Sequence, residues 1–137
     1  MFDRKGLTLV ELIVLIGIIG LVTAMALPQF SSFTRSNQLA TSADRLTADL
    51  QMARSMSIAN GRVYRVMAGS TGYRVVDTTT GLVVREHQFQ GTIRLAAGDT
   101  VDVFPWGMAQ AASFDLQIPG GAAMQVNLLP TGMVERP

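Results

Sequence analysis

Gly6-Leu7-Thr8-Leu9-Val10-Glu11-Leu12-Ile13-Val14-Leu15-Ile16-Gly17-Ile18-Ile19-Gly20-Leu21-Val22-Thr23-Ala24-Met25-Ala26-Leu27-Pro28 is the stretch on which the reading of this chain turns. From Leu7 to Leu27 it holds one ionisable side chain, Glu11. At about 1.5 Å per helical residue its length matches a hydrocarbon core roughly 30 Å thick. A carboxylate near the head of such a span costs on the order of 3 kcal/mol on insertion, so it calls for a partner or a task. Arg4 and Lys5 hold the near end in the cytoplasm, which sends the bulk of the chain to the opposite side, the periplasm of a Gram-negative cell. Only residues 1–6 stand ahead of the span, too few for a separate secretory signal, so a single segment is expected to serve as signal and anchor.

Basic residues, then Gly6, then Leu7-Thr8-Leu9-Val10-Glu11-Leu12 resemble the leader and N-terminus of type IV pilins and pseudopilins. The resemblance implies that a prepilin peptidase cuts between Gly6 and Leu7 and that the new N-terminus at Leu7 is methylated. It also implies that Glu11 and Pro28 serve assembly. Leu7 stands where the family usually carries Phe. The chemistry behind Glu11 is electrostatic. Cleavage would create an α-amine in or near the membrane, and the carboxylate of a neighbouring subunit could neutralise it when helices stack. In a low dielectric a pair recovers much of what two isolated buried charges would cost, and it rewards correct axial register.

The expected organisation is residues 1–6 as leader peptide, 7–28 as transmembrane helix, and 29–137 as amphipathic helix plus periplasmic β domain. Within the span Gly17 and Gly20 lower helix propensity, and Pro28 lacks the amide that would bond four residues back, so a bend or loosening is expected there. Beyond Pro28 the chain turns polar but keeps Leu39, Ala43, Leu46, Leu50 and Ala53, with Met56 nearby, at steps of three and four. That stripe is expected to pack on the chain's own sheet, with Arg35, Gln38, Asp44, Arg45, Asp49 and Arg54 on the outer face. Asn60-Gly61 supplies the residues of a left-handed C-cap, so one helix from Leu7 to Ala59 is predicted.

After Gly61 the pattern shifts to period two and to β-forming residues. Strands are predicted at Arg62–Met67, Tyr73–Asp77, Leu82–Phe89, Thr92–Leu95, Thr100–Phe104, Ser113–Ile118 and Ala123–Leu128, with Met133–Glu135 as a last edge. Pro119-Gly120-Gly121 marks the clearest hairpin. The fold class is therefore α+β: a long N-terminal helix, its first half in the membrane and its second half amphipathic, packed on a small antiparallel β domain. The stretch Asp44-Arg45-Leu46 through Ala53-Arg54-Ser55 to Val63 resembles the GspH/FimT group of minor pilins and pseudopilins. Val103-Phe104-Pro105-Trp106-Gly107 and Leu129-Pro130-Thr131-Gly132-Met133-Val134 are similar to that group's later glycine-containing segments.

The composition narrows the functional classes. Formal net charge is +1, which indicates no polyanion-binding surface, and the absence of cysteine removes disulfides and thiolate metal sites. His87 is the one histidine and makes no metal site by itself; Asp99 and Asp102 lack the repeated oxygen ligands of a calcium loop; there is no Gly-Lys-Ser/Thr phosphate loop. No catalytic residue, metal or cofactor is expected. The expectation is a non-enzymatic minor pseudopilin of a type II secretion system, supporting protein export from a filament built on helix packing. The alternative is a minor pilin of a type IV pilus that primes assembly or takes part in DNA uptake. Expected partners are other pilins or pseudopilins, the prepilin peptidase, the inner-membrane assembly platform and the inner membrane. DNA contact through Arg62, Arg65, Arg74, Arg85 and Arg94 is disfavoured, because Asp77, Glu86, Asp99, Asp102 and Asp115 are interspersed.

Overall fold

A helical stripe followed by alternating strands can bury its apolar residues only by folding the strands back on the stripe. In the computed structural model, which describes residues 8–96 and 99–136 with the side chains of 26–29 excepted, the chain divides into two units, Met1–Arg35 and Ser36–Pro137. One helix, α1 (Leu9–Asn60), contributes to both. Its backbone is helical at Pro28.

In the second unit the stripe is buried as expected: Leu39, Ala43, Leu46, Leu50 and Ala53 are each no more than 1% exposed. The next position at that spacing is Ser57, which is fully buried, while Met56 beside it is only half-buried. Ser57 can be buried because its hydroxyl lies 2.8 Å from the Arg54 carbonyl and 3.0 Å from that of Phe104, so no polar atom is stranded. The helix closes at Gly61, whose φ of +63° lets the Arg62 amide donate to the Ser57 carbonyl at 3.3 Å, a Schellman cap. Arg62 is thereby used by the helix, and the first strand starts at Tyr64 rather than Arg62.

Eight strands follow: β1 (Tyr64–Gly69), β2 (Gly72–Asp77), β3 (Val83–Gln88), β4 (Arg94–Leu95), β5 (Thr100–Val103), β6 (Ala112–Gln117), β7 (Ala123–Leu128) and β8 (Val134–Glu135). They form two antiparallel sheets of order β3-β2-β1-β5 and β4-β6-β7-β8. The chain therefore leaves the first sheet for β4, returns to lay β5 beside β1, and ends in the second sheet. Alternation sends Tyr64 and Val66, Tyr73 and Val75, and Val101 and Val103 inward from one sheet, and Phe114, Leu116, Val126 and Leu128 from the other. With the helix stripe these side chains make one apolar cluster.

Two residues expected on the outer face of the helix are instead half-buried against the domain. The Tyr73 hydroxyl donates to Asp49 at 2.6 Å, and Arg54 Nε donates to the Gly107 carbonyl at 2.9 Å. A long polar side chain at the border of a stripe can reach over it to a neighbouring element, so position on the helical wheel alone misplaced them.

Asp77 organises the β2–β3 turn. It is buried, accepts the Thr79 and Thr80 amides at 2.8 and 3.4 Å on one oxygen, and pairs with Arg62 at 3.1 Å on the other. Burial opposes its charge most strongly of the separate influences, yet the Thr79 amide, the Arg62 guanidinium and the Thr80 donors together hold its carboxyl below the ordinary 3.8. A depressed folded value means stability that is present above 3.8 and is lost as pH falls through the lower value of the folded state. Urea titrations should accordingly show stability dropping on acidification below pH 3.8, and Asp77→Asn should flatten that limb. An unchanged acid limb in Asp77→Asn would assign the loss to other groups.

Candidate functional site

Among the described residues the first unit carries no apolar core of its own. Its large side chains from Leu9 to Met25 are exposed on every side of the helix, from Leu12 at 49% to Leu9 at 74%. Such a helix is long and apolar enough to cross a membrane. Thr23 donates its hydroxyl to the Ile19 carbonyl at 2.7 Å, which leaves no donor unsatisfied in hydrocarbon. At Gly17 and Gly20 nothing lies within 4 Å of where a Cβ would stand, so a partner could approach the backbone there.

Glu11 sits at the head of this helix and has a partner that the sequence reading passed over. Its carboxylate accepts the Thr8 amide at 3.4 Å, and the Thr8 hydroxyl accepts the Glu11 amide at 3.3 Å. This reciprocal pair is a capping box, with Thr8 as N-cap and Glu11 three residues on. It satisfies two of the amides that a helix start leaves open and places a negative charge at the positive end of the helix dipole. The Thr8-x-x-Glu11 spacing was the available signal. Of the other assembly and processing residues, Gly6 and Leu7 lie outside the described residues. Pro28 lies roughly 25 Å along the helix from Glu11 at about 1.5 Å per residue, its side chain also outside the described set. The two expected assembly residues are therefore not brought together within one chain.

A second constellation lies at the Asn60 end of α1. Phe104-Pro105-Trp106-Gly107-Met108 and Leu129-Pro130-Thr131-Gly132-Met133 share a Pro-x-Gly-Met pattern. In each, the glycine amide donates three residues back, at 2.9 Å to Phe104 and 2.8 Å to Leu129, and the flanking amides close the loop onto Met108 and Met133 at 2.8 Å. Positive φ at Gly107 (+81°) and Gly132 (+75°) completes both turns. The turns touch: the Ala109 amide donates to the Pro130 carbonyl at 3.1 Å, and a Cβ on Gly132 would stand 2.1 Å from the Gly107 carbonyl oxygen. Arg54, bonded to that same oxygen, fastens the helix to the pair. These contacts give physical content to the three segments whose resemblance to GspH/FimT proteins the sequence had already suggested.

His87 is on β3, beside Tyr73 and Phe89 at ring distances of 5.6 and 5.9 Å. Asp102 accepts Arg65 in a two-point fork at 2.7 and 2.9 Å, an ordinary cross-strand ion pair. Among the described residues no group of three or more His, Cys, Asp or Glu could hold a metal ion.

The family described as type II transport protein GspH matches residues 42–132, which take in the buried stripe from Ala43, the Arg54 clamp and both turns. The chain belongs to the GspH family. The family is one of structural minor pilins and pseudopilins, and this member has their fold. Crystal structures of the type IV minor pilin FimU from Pseudomonas aeruginosa strain PAO1 match it in two crystal forms. The TM-scores are 0.65 and 0.61 at 20% and 18% identity, covering 77% and 72% of this chain and 92% of each FimU chain. A fimbrial protein of Pseudomonas aeruginosa is 34% identical over 59 residues, 43% of this chain and 38% of that relative's length. This GspH-family chain thus spans well under half the length of the curated relative it matches.

Proposed function

We propose that this GspH-family chain is a minor pilin, held in the inner membrane by its single apolar helix with the β domain in the periplasm, and built into a filament through that helix. The observation that carries the reading is Glu11 in its capping box at the head of a helix whose apolar side chains find no cover in their own unit. Cutting between Gly6 and Leu7 would leave this box intact, because it needs only the amide and hydroxyl of Thr8. A neighbour's new α-amine could then approach a carboxylate already held in place. The fimbrial relative and the FimU likeness support a type IV pilus as the assembly served. The family's own description supports the type II secretion reading that the sequence ranked first. Of the arginines weighed for DNA contact, Arg62 and Arg65 are taken up by Asp77 and Asp102.

Glu11→Gln should insert normally, because it removes a charge from the span, but its content in sheared, purified filaments should fall about tenfold or more. Thr8→Val keeps the carboxylate and loses only the cap, worth about 1 kcal/mol, so its incorporation should fall only a few-fold. Quantitative immunoblots of membrane and filament fractions read both variants, and mass spectrometry of the membrane form reads the cut. Wild-type amounts of Glu11→Gln in filaments would remove the assembly role given to Glu11.

A further inference from the structure

A polar notch lies between α1 and the end of β3, a cavity of about 260 Å³ whose walls include Asn37, Gln38, Arg45, His87 and Gln90 and no carboxylate. The hydroxyls of Thr41 and Ser42 in its floor donate to the Asn37 and Gln38 carbonyls at 2.9 Å. They are therefore committed to the helix, and the side-chain amides and the Arg45 guanidinium are the donors left for a ligand. Of the acids along the helix, Asp44 pairs with Arg136 and Asp49, one turn beyond Arg45, accepts the Tyr73 hydroxyl. Arg62, Arg65 and Arg136 have Asp77, Asp102 and Asp44 as ion-pair partners, but Arg45 and Arg85 have none among the described residues. Both act electrostatically on Tyr73, and Arg45 acts on His87 as well, where Asp49 opposes it.

We propose that this notch binds the phosphate group of a small soluble phosphate ester, with the Arg45 guanidinium as its principal contact and the amides of Asn37, Gln38 and Gln90 around it. A tetrahedral group offers acceptors to donors on both walls at once, whereas a planar carboxylate is satisfied by one guanidinium fork. Arg45 is the one arginine among the residues that line the notch, which makes this a site for one group. The inference is independent of the filament reading.

His87 is the natural reporter, being the only histidine in the chain. Burial and the Arg45 charge lower its titration from the ordinary 6.5, Asp49 opposes them, and the Tyr73 and Phe89 rings stand beside it at 5.6 and 5.9 Å. A bound phosphate should reverse that lowering, because a nearby anion favours the imidazolium. The test uses the full chain in maltoside micelles with carbon-13-labelled histidine, titrated with inorganic phosphate and with glycerol 3-phosphate against chloride of equal ionic strength. The expected result is a saturable movement of the His87 signal with an upward shift of its titration. Arg45→Gln should raise the His87 titration in chloride, since a cation is removed, and should weaken the phosphate response about tenfold or more. Circular dichroism checks that the variant is folded, as expected for an exposed helical position. A response that follows ionic strength alone, or that survives unchanged in Arg45→Gln, overturns the proposal. So does a response to an oligonucleotide, or to phospholipid doped into the micelle, at about tenfold lower concentration than glycerol 3-phosphate.

Discussion

Alanine at Gly132 should cost the domain about 4 kcal/mol, a large share of the 5 to 15 kcal/mol that typically holds a domain folded. Two independent penalties add there. The residue holds φ at +75°, where an L side chain costs roughly 1–2 kcal/mol. Its Cβ would also stand 2.1 Å from the Gly107 carbonyl oxygen and 2.8 Å from Arg54 Nε, and the nearer of these is backbone that cannot rotate away. Relieving the clash means parting the two turns or breaking the Arg54 bond. Gly120→Ala is the control, since that glycine has φ of +70° with nothing within 4 Å, and it should cost only the dihedral penalty. Urea denaturation of the segment from Ser36 onward would compare them. Equal midpoints for the two variants would mean that the turns do not bear on each other.

Leu46→Asp should abolish the fold of the same segment. Leu46 is 1% exposed in the middle of the stripe. The substitution forfeits about 2 kcal/mol of apolar burial and puts a carboxylate where no donor faces it, at several kcal/mol more. The sum reaches the 5 to 15 kcal/mol typical of a whole domain. Arg74→Ala, on the exposed face of β2, should stay within about 0.5 kcal/mol of the parent. Loss of the cooperative transition is the readout for Leu46→Asp, and an unshifted midpoint would place the stripe against solvent or a partner subunit.

The elements were legible wherever one periodicity ruled a whole segment. The stripe from Leu39 to Ala53 and the alternation in β1, β2, β6 and β7 name their buried residues directly, because burial there depends only on spacing. Ser57 was missed for a reason of chemistry: a hydroxyl at a core position looks polar until its carbonyl partners are known, and one of them is 47 residues away. Asp49 and Arg54 were misplaced similarly, their roles being set by Tyr73 and Gly107 rather than by the helix. The exchange of strands between the sheets was not legible either, since β5 pairs with β1 through main-chain bonds that leave no trace in side-chain order. At the proposed assembly site the position of Glu11 was plain from its isolation among apolar residues. Its bond with Thr8 needed only the capping spacing, which the search for an intermolecular partner obscured.

The bond from Arg54 to Gly107, and the seating of Gly132 against that same carbonyl, also set an order of events during synthesis. The helix is made first, yet its fastening awaits a turn 53 residues later and then a second turn beyond that. A chain made from its N-terminus must therefore hold the Leu39–Ala53 stripe uncovered until both turns have been synthesised. Loop-closure entropy is repaid only by contacts that arrive late, so closing should be slow and should come nearly all at once. Until then the stripe is available to chaperones and proteases, which makes synthesis, rather than the finished fold, the interval in which this chain is most exposed to quality control.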